Sequence, residues 1–330
     1  MGLYAAVLSA AGNQDCVTCH PAEVKLHERT RMAHAMIPAT ASVFAENLPS
    51  QPLHESSNGY EYHFAQALNG ISVTAADGDD KAEGVMEWIM GAGAQGQTPI
   101  VTAKNGKLES RISYFPQLRQ YGITIGQEGG ASSTAQAALG VRQSARDLEA
   151  CIGCHATAVT RDLEPAIPGV QCERCHPGAG QHARGTGTPM NPGKLKPLEQ
   201  LRFCGACHRI TPPVGYNELE NVRFQPLRLS KSACFVAGHV SCTTCHVAHQ
   251  DAVRNDPAFY NGKCAGCHNK ESGNRFHADT DARRSGDCIG CHMPYVQLHP
   301  ALKFTDHFIR VVRAGDLPPS SIMQRGGAGL

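Results

Sequence analysis

The chain has 330 residues, which is enough for one large or two modest domains, and its formal net charge is +1. Aromatic residues make up only 6% and there is a single Trp, so a core made of side chains alone would be thin. No stretch is long and apolar enough to form a membrane-spanning helix, and we predict no transmembrane segment.

The N-terminus carries an apolar run and then a cysteine motif. Residues 3–8 are apolar and small residues follow, which is similar to the end of a signal peptide without its basic region. A plain N-terminal arm is the alternative. The next feature is Cys16-Val17-Thr18-Cys19-His20. This spacing is the attachment signature of a c-type haem, in which the thiols add to the vinyl groups and the His is the proximal iron ligand.

The segment after the first motif is predicted to be a helix at 22–36 and then rich in strands. Short runs with Val, Ile, Tyr and Phe predict strands at 60–67, 71–75, 84–90, 99–104 and 108–114, within a β-rich segment at about 53–125. Lys104-Asn105-Gly106-Lys107 predicts a hairpin turn. Residues 91–96 match G-x-G-x-x-G, but a strand-like run with Pro99 follows where a dinucleotide site needs a helix, so we predict a hairpin link.

The haem motif recurs six more times between residues 151 and 292. The seven copies use fourteen of the fifteen cysteines, namely Cys16, Cys19, Cys151, Cys154, Cys172, Cys175, Cys204, Cys207, Cys242, Cys245, Cys264, Cys267, Cys288 and Cys291. The predicted proximal ligands are His20, His155, His176, His208, His246, His268 and His292. A Gly/Ser/Ala stretch at 126–138 predicts a seam between an N-terminal region at 1–140, with one haem, and a C-terminal region at 141–330, with six.

Three other interpretations of Cys-x-x-Cys compete with haem attachment. Zinc ribbons combine two such pairs in one site, thioredoxin-like proteins use a single pair, and secreted proteins use disulfide frameworks. None of them requires a His directly after the second Cys, which is present here seven times. We therefore predict seven covalently attached haem c groups and a mostly irregular and α-helical fold, with short helices and loops wrapped around the haems.

Covalent haem changes the charge and the location that the sequence predicts. With ionised propionates, seven ferric haems would bring the net charge to about −6, and seven ferrous haems to about −13. An acidic protein argues against a nucleic-acid partner. Because covalent attachment of haem takes place outside the cytoplasm, we expect a periplasmic, extracellular or cell-surface protein.

The second axial position of each iron needs a further ligand, and ten other histidines are available. The candidate distal ligands are His34, His54, His63, His182, His249, His277, His299 and His307. Met32, Met36 and Met293 lie near motifs, and core packing is the predicted role for each. Cys234, the odd cysteine, is either a buried free thiol or a further ligand or attachment point beside the fifth haem.

The chain resembles the multihaem cytochrome c family that includes the tetrahaem electron acceptor of hydroxylamine oxidoreductase, and related cytochromes of environmental bacteria. The stretches that carry this resemblance are 16–36, 53–60, 169–178 with His182, 223–226, 232–235, 242–249, 288–294 and 305–310. The resemblance implies that His54, His182, His249 and His307 are distal ligands and that Cys234 is a family feature. It says little about the partner.

The leading functional hypothesis is an electron carrier with a closely packed chain of haems. Its partners would be other redox proteins, either cytochromes or quinol-linked membrane complexes. One alternative is an oxidoreductase of the nitrite or hydroxylamine type, which needs one haem with an open coordination position. The other alternative is a homo-oligomer, in which this protein is the subunit of a conductive filament.

Overall fold

The computed structural model describes residues 13–128, 133–212, 217, 219–269, 287–313 and 316. The chain divides into two compact units, Met1–Met190 and Asn191–Leu330. The boundary at residue 140 was inferred from the distribution of the haem motifs, and that division by haem content stays a prediction.

The first unit is built around an antiparallel sheet of eight strands. The strands of this unit are β1 Met36–Pro38, β2 Leu53–His54, β3 Glu61–Ala67, β4 Gly70–Asp77, β5 Asp80–Met90, β6 Thr98–Ala103, β7 Gly106–Ser110, β8 Ile112–Phe115, β9 Gln120–Ile123, β10 Gly140–Arg142, β11 Ala156–Val159 and β12 Pro165–Pro168. In the sheet the order is β10-β7-β6-β5-β4-β3-β2, and β1 also pairs with β5. Strands β8 and β9 form one hairpin, and β11 and β12 form another.

Alternating burial positions the sheet against its core. In β4, Ile71, Val73 and Ala75 are buried while the residues between them are partly exposed, as expected when successive side chains point to opposite faces. They pack with Tyr62 and Phe44 in the largest apolar cluster of the described chain. The first four predicted strands are confirmed, and so is the turn before Gly106, because Ala103 and Gly106 pair across a two-residue loop. The strand predicted for 108–114 is divided at Arg111 between β7 and β8, which belong to different sheets.

Short helices complete the first unit. They are α1 Pro21–His27, α2 Val43–Glu46, α3 Ala135–Leu139, α4 Ala145–His155, α5 Cys172–Cys175 and α6 Ala179–Ala183, with 3-10 turns at Asn13–Asp15 and Ala39–Ala41. The helix predicted for 22–36 ends early. The Thr30 hydroxyl donates to the carbonyl of His27 at 2.7 Å and accepts from the Ala33 N–H at 3.2 Å. These side-chain bonds hold the backbone in a turn instead of a helix.

In its described residues, the second unit consists of short helices and one hairpin. Its helices are α7 Pro197–His208, α8 Gln225–Leu229, α9 Ala233–Val236, α10 Cys242–Cys245, α11 Pro257–Ala265 and α12 Cys288–His292, with 3-10 turns at Pro192–Lys194 and Glu220–Arg223. The hairpin pairs β13 Tyr295–His299 with β14 Leu302–Thr305. The largest apolar cluster described in this unit has three buried members, Leu201, Leu229 and Phe235.

The architecture is therefore mixed helix and strand. The expectation of short helices and loops describes the second unit, and the β-rich segment is present in the first, but the protein as a whole is not mainly helical. Among the described residues, no helix has the length and apolarity needed to cross a membrane.

Candidate haem-binding sites

Each haem motif forms one turn of helix. In four motifs, the backbone N–H of the His donates to the carbonyl of the first Cys, and this bond closes one turn. The bonds are His20 to Cys16 at 2.9 Å, His176 to Cys172 at 2.8 Å, His246 to Cys242 at 3.0 Å and His268 to Cys264 at 2.8 Å. Residues three and four apart share a helix face, so one turn presents both thiols and the imidazole on one side.

Capping side chains begin the helices that contain the second and the seventh motif. Ser144 accepts from the Asp147 N–H at 3.1 Å and begins α4, whose last turn is the second motif. Asp287 accepts from the Gly290 N–H at 2.8 Å and begins α12, which is the seventh motif. Capping satisfies N–H groups that a helix start otherwise leaves unpaired. The motifs are therefore locally determined structures.

All fifteen cysteines lie within the described residues, and none of them forms a disulfide bond. The alternative of a disulfide framework is wrong for this structure. Cys234 lies in α9 and is partly buried, and burial raises the pKa of its thiol. Whether it contacts a haem stays a prediction.

Hydrogen bonds from Nδ1 to backbone carbonyls orient several of the predicted proximal imidazoles. Nδ1 of His155 lies 2.8 Å from the carbonyl of Ala35, and Nδ1 of His176 lies 2.9 Å from that of Met190. Nδ1 of His292 lies 2.9 Å from the carbonyl of Arg310. A histidine that donates from Nδ1 to a carbonyl presents Nε2 as the metal-binding nitrogen.

Two pairs of imidazoles have the separation that an axially ligated iron requires. The ring centres of His20 and His182 are 6.5 Å apart, and those of His246 and His307 are 6.2 Å apart. An iron between two imidazoles, with metal–nitrogen bonds of about 2 Å, would hold the ring centres about 6 Å apart. Each pair joins a predicted proximal ligand to a predicted distal one, so the residues present fit a haem iron.

Burial keeps the second pair of imidazoles in the neutral form. It lowers the pKa of His307 to about 4, and it lowers the pKa of His246 with a smaller contribution from His208. A neutral imidazole has a lone pair available for a metal, whereas a protonated one does not. The pair is therefore in the charge state of a ligand at neutral pH.

The other candidate distal ligands have different surroundings. His34 is exposed, and its Nδ1 lies 2.9 Å from the carbonyl of Thr30. His54 and His63 are exposed on β2 and β3, where His63 lies 3.9 Å from Glu61. Nδ1 of His299 accepts from the Ala301 N–H at 3.1 Å in the turn of the second unit's hairpin.

The last two candidates are His249 and His277. His249 is partly buried, and His277 lies outside the described residues. For these two and for His34, His54, His63 and His299, ligation stays a prediction.

The motifs contact one another within each unit. In the first unit, the Cys172 thiol donates to Oδ1 of Asn13 at 3.0 Å, and Asn13 also accepts from the N–H of Cys16. Burial, together with the neighbouring Cys16 thiol, raises the pKa of Cys172 to about 12. The side chain of Arg174 donates to the carbonyl of Gly153. The third motif therefore contacts both the first and the second.

In the second unit, the fourth motif contacts the fifth through a buried amide. Oε1 of Gln200 accepts from the Thr243 N–H at 2.9 Å, and Nε2 donates to Oγ1 of Thr243 at 3.0 Å. The Cys204 and Cys242 thiols hydrogen-bond each other, which raises the pKa of Cys204 and lowers that of Cys242.

The sixth and seventh motifs are joined in the same way. The N–H of Cys288 donates to Oδ1 of Asn261 at 3.0 Å. Burial and the neighbouring Cys288 thiol raise the pKa of Cys264 to about 11. In three pairs of motifs, therefore, the first cysteines are neighbours.

A charged cluster that the sequence did not predict lies beside His307. Arg228 in α8 donates to both carboxylate oxygens of Asp306 at 2.8 Å, and Arg310 donates to the same carboxylate at 2.7 Å. The Asp306 side chain is 1% exposed. The resemblance marked residues 305–310 but assigned no role to Asp306, because its main partner is 78 residues away in sequence.

Comparison with known proteins relates the chain to multihaem cytochromes. A family model described as cytochrome c554 and c-prime matches residues 123–177, which include the second and third motifs. The multihaem cytochrome MtrA of Shewanella baltica (strain OS185) is 25% identical over 180 residues, which cover 46% of this chain and 47% of MtrA. The chain thus spans about half the length of that relative.

A solved structure is similar over most of the chain. The crystal structure of the outer cell wall cytochrome OcwA matches with a TM-score of 0.55 at 15% identity, covering 93% of this chain and 81% of OcwA. Together the findings support a multihaem c-type cytochrome. They also support covalently bound haem c. The resemblance to the electron acceptor of hydroxylamine oxidoreductase stays a prediction.

Proposed function

We propose that this protein is a heptahaem c-type cytochrome that carries electrons between redox partners along a closely packed chain of haems. One haem c is attached at each of the seven motifs, with the motif's own His as the proximal ligand. The haems supply the electron-accepting centres, and the polypeptide sets their spacing, axial ligands and electrostatic surroundings.

The contacts between motifs carry this proposal. Because the thiols become the haem attachment points, motifs that touch each other place their haems side by side. The contacts support the order second, third, first for the haems of the N-terminal unit. In the C-terminal unit they join the fourth haem to the fifth and the sixth to the seventh. Adjacent haems are what rapid electron transfer along a chain of centres requires.

The facing imidazoles support a carrier over an enzyme. We assign His182 as the distal ligand of the first haem and His307 as that of the fifth, opposite His20 and His246. A haem with two protein ligands has no open position for a substrate, so its chemistry is electron transfer. The alternative of an oxidoreductase requires that at least one of the other five haems lacks a sixth ligand.

Location and partners are proposed from haem chemistry and from the relatives. Covalent haem attachment implies export, and the similar OcwA is named for the outer cell wall. The acidic holoprotein favours basic patches on its redox partners, either cytochromes or quinol-linked membrane complexes, and disfavours nucleic acid.

The decisive experiment is to purify the exported holoprotein, count its haems and determine their spin states. We expect seven haems per chain by pyridine haemochrome assay and mass spectrometry, low-spin spectra, and full reduction by a small-molecule donor. Fewer than seven haems would overturn the proposed count. A five-coordinate haem that turns over nitrite or hydroxylamine would replace the carrier with the enzyme alternative. Light scattering that detects concentration-dependent fibres would add the filament role.

A further inference from the structure

We propose that Asp306 is a positioning residue for the axial ligands of two haems at once. It holds His307 opposite His246, and it holds the segment that orients His292, the proximal ligand of the seventh haem. The inference rests on the proposed haem attachment at the fifth and seventh motifs.

The carboxylate of Asp306 is the centre of a buried hydrogen-bond network that joins α8 to the segment after β14. It accepts two hydrogen bonds from Arg228, one from Arg310 and one of 3.0 Å from the Phe308 N–H. The guanidinium groups of Arg228 and Arg310 lie 5.4 and 4.7 Å from the centre of the Phe308 ring. Bidentate charge-assisted bonds of this kind fix both distance and orientation.

The segment that follows Asp306 has no regular secondary structure to hold it. Residues 306–309 lie beyond the end of β14, and side chains supply hydrogen bonds to the backbone there. Ser232, which is fully buried, donates to the carbonyl of His307 at 3.1 Å and accepts from the Ile309 N–H at 2.9 Å. The ring of His307 is oriented directly by its Nδ1, which lies 3.0 Å from the carbonyl of Thr305. The polar network holds the backbone that carries this ring, since no helix or sheet ladder fixes residues 306–309.

The same segment reaches the seventh motif through the backbone of Arg310. Its N–H donates to the carbonyl of His292 at 3.3 Å, and its carbonyl accepts from Nδ1 of His292 at 2.9 Å. A hydrogen bond at Nδ1 sets the tautomer of a ligating His and raises its basicity. Asp306 thus connects, over five residues, the distal side of one haem to the proximal side of another.

Stability alone gives no reason for placing charges here. Replacing a buried ion pair by apolar side chains of similar volume is often neutral or stabilising, because desolvation offsets the attraction. The two arginines and the aspartate instead add directional hydrogen bonds. These bonds hold a segment that carries one proposed iron ligand, His307, and orients another, His292. The protein contains a second buried pair of this kind, Glu55 with Arg111 in the first unit, which supplies a matched control.

The test is carbon monoxide binding to the dithionite-reduced holoprotein, with a redox titration of the same samples. For Asp306→Asn we expect one more CO-binding haem per chain than in the wild type, since His307 leaves the fifth iron. We also expect a second haem that stays low-spin but has a raised midpoint potential, since His292 loses its Nδ1 bond. Glu55→Gln should change neither readout.

A double variant separates this inference from the proposed function. His307→Ala alone should add one CO-binding haem, and Asp306→Asn combined with it should add no further one. If His307→Ala adds the site and Asp306→Asn does not, the positioning role is overturned while the ligand assignment stands. If His307→Ala adds none, the ligand assignment itself fails.

Should Asp306→Asn prevent haem incorporation, Ser232→Ala carries the test. It removes one hydroxyl from the same segment and leaves every charge in place. We expect a smaller but measurable CO-binding fraction at the same haem. A fraction equal to that of the wild type would overturn the inference.

Discussion

The imidazole rings of His20 and His182 face each other at 6.5 Å, although 161 residues separate them in the sequence. His182 lies in α6, just after the third motif, and the third motif contacts the first through Asn13. In the proposed ligation, the helix that follows one haem attachment supplies the distal ligand of a neighbouring haem. Attachment and distal ligation would then come from different parts of the chain, so ligation and haem contact would form together on folding.

Replacing His182 tests this relationship. In His182→Ala we expect one haem of the seven to change from low-spin to high-spin and to bind CO when reduced, because its iron loses the sixth ligand. In His182→Met we expect a raised midpoint potential at one haem, since thioether ligation favours the ferrous state. Absorption spectra and redox titration report these changes. His239→Ala, another exposed histidine, is the control, and equal spectra for His182→Ala and the control would contradict the assignment.

The contact between the fourth and fifth motifs depends on Gln200, which is 1% exposed. In Gln200→Leu the N–H and hydroxyl of Thr243 and the carbonyl of Pro192 lose their partner. We expect the free energy of unfolding to fall by about 1–3 kcal/mol, because two or three hydrogen bonds are lost and each contributes about 0.5–1.5 kcal/mol. Urea unfolding followed by circular dichroism measures it. The exposed Gln250→Leu is the matched control, and a loss of equal size there would refute the role of Gln200.

Local patterns explain which parts of this structure the sequence could predict. The haem motifs and the strands β3 to β6 depend on spacing and alternation within a few residues. The hairpin turn at Asn105-Gly106 depends on two adjacent residues. The helix predicted for 22–36 failed because Thr30 bonds its neighbouring backbone instead of leaving those groups to the helix. The partners Arg228 and Asp306 could not be paired, since neither is marked by a local pattern and only the fold brings them together.

The buried pair Glu55 and Arg111 gives a dependence on pH with a definite sign. Burial raises the pKa of Glu55, but hydrogen bonds from Arg111, Ser57 and Tyr62 outweigh it and hold the pKa below the usual 4.5. A carboxyl with a lowered pKa contributes stability that is present above its unfolded value and lost as the pH falls through its folded value. The contribution of this pair is therefore complete at pH 7 and decreases below pH 4.5.

Glu55→Gln measures that contribution. We expect it to lower the free energy of unfolding by about 3–5 kcal/mol at pH 7, because Arg111 stays charged and buried without its partner. The difference from the wild type should shrink at pH 3. Urea unfolding at the two pH values tests both statements. Glu83→Gln is the control, because Glu83 pairs with Lys81 at 2.7 Å but is 65% exposed, and an exposed pair contributes about 0–1 kcal/mol. A difference that is the same at both pH values would contradict the sign.

Withholding haem should affect the two units differently. The sheet of the first unit packs on a cluster of sixteen buried apolar residues, which includes Phe44, Tyr62 and Ile71. The largest such cluster described in the second unit has three. Cofactor binding is folding free energy where side chains alone cannot form a core. We therefore expect the chain made in the cytoplasm, without haem attachment, to keep protected amides in β3 to β6 and to lose protection in α7 to α12.

Hydrogen exchange with mass spectrometry measures this protection segment by segment. The exported holoprotein is the reference, and it should be protected in both units. A variant with all fourteen motif cysteines changed to serine and exported normally separates the loss of haem from the change of compartment, and its exchange should match that of the cytoplasmic chain. Equal protection of the two units without haem would contradict the prediction. It would mean that side chains alone hold α7 to α12 in place, because no other source of burial would be left.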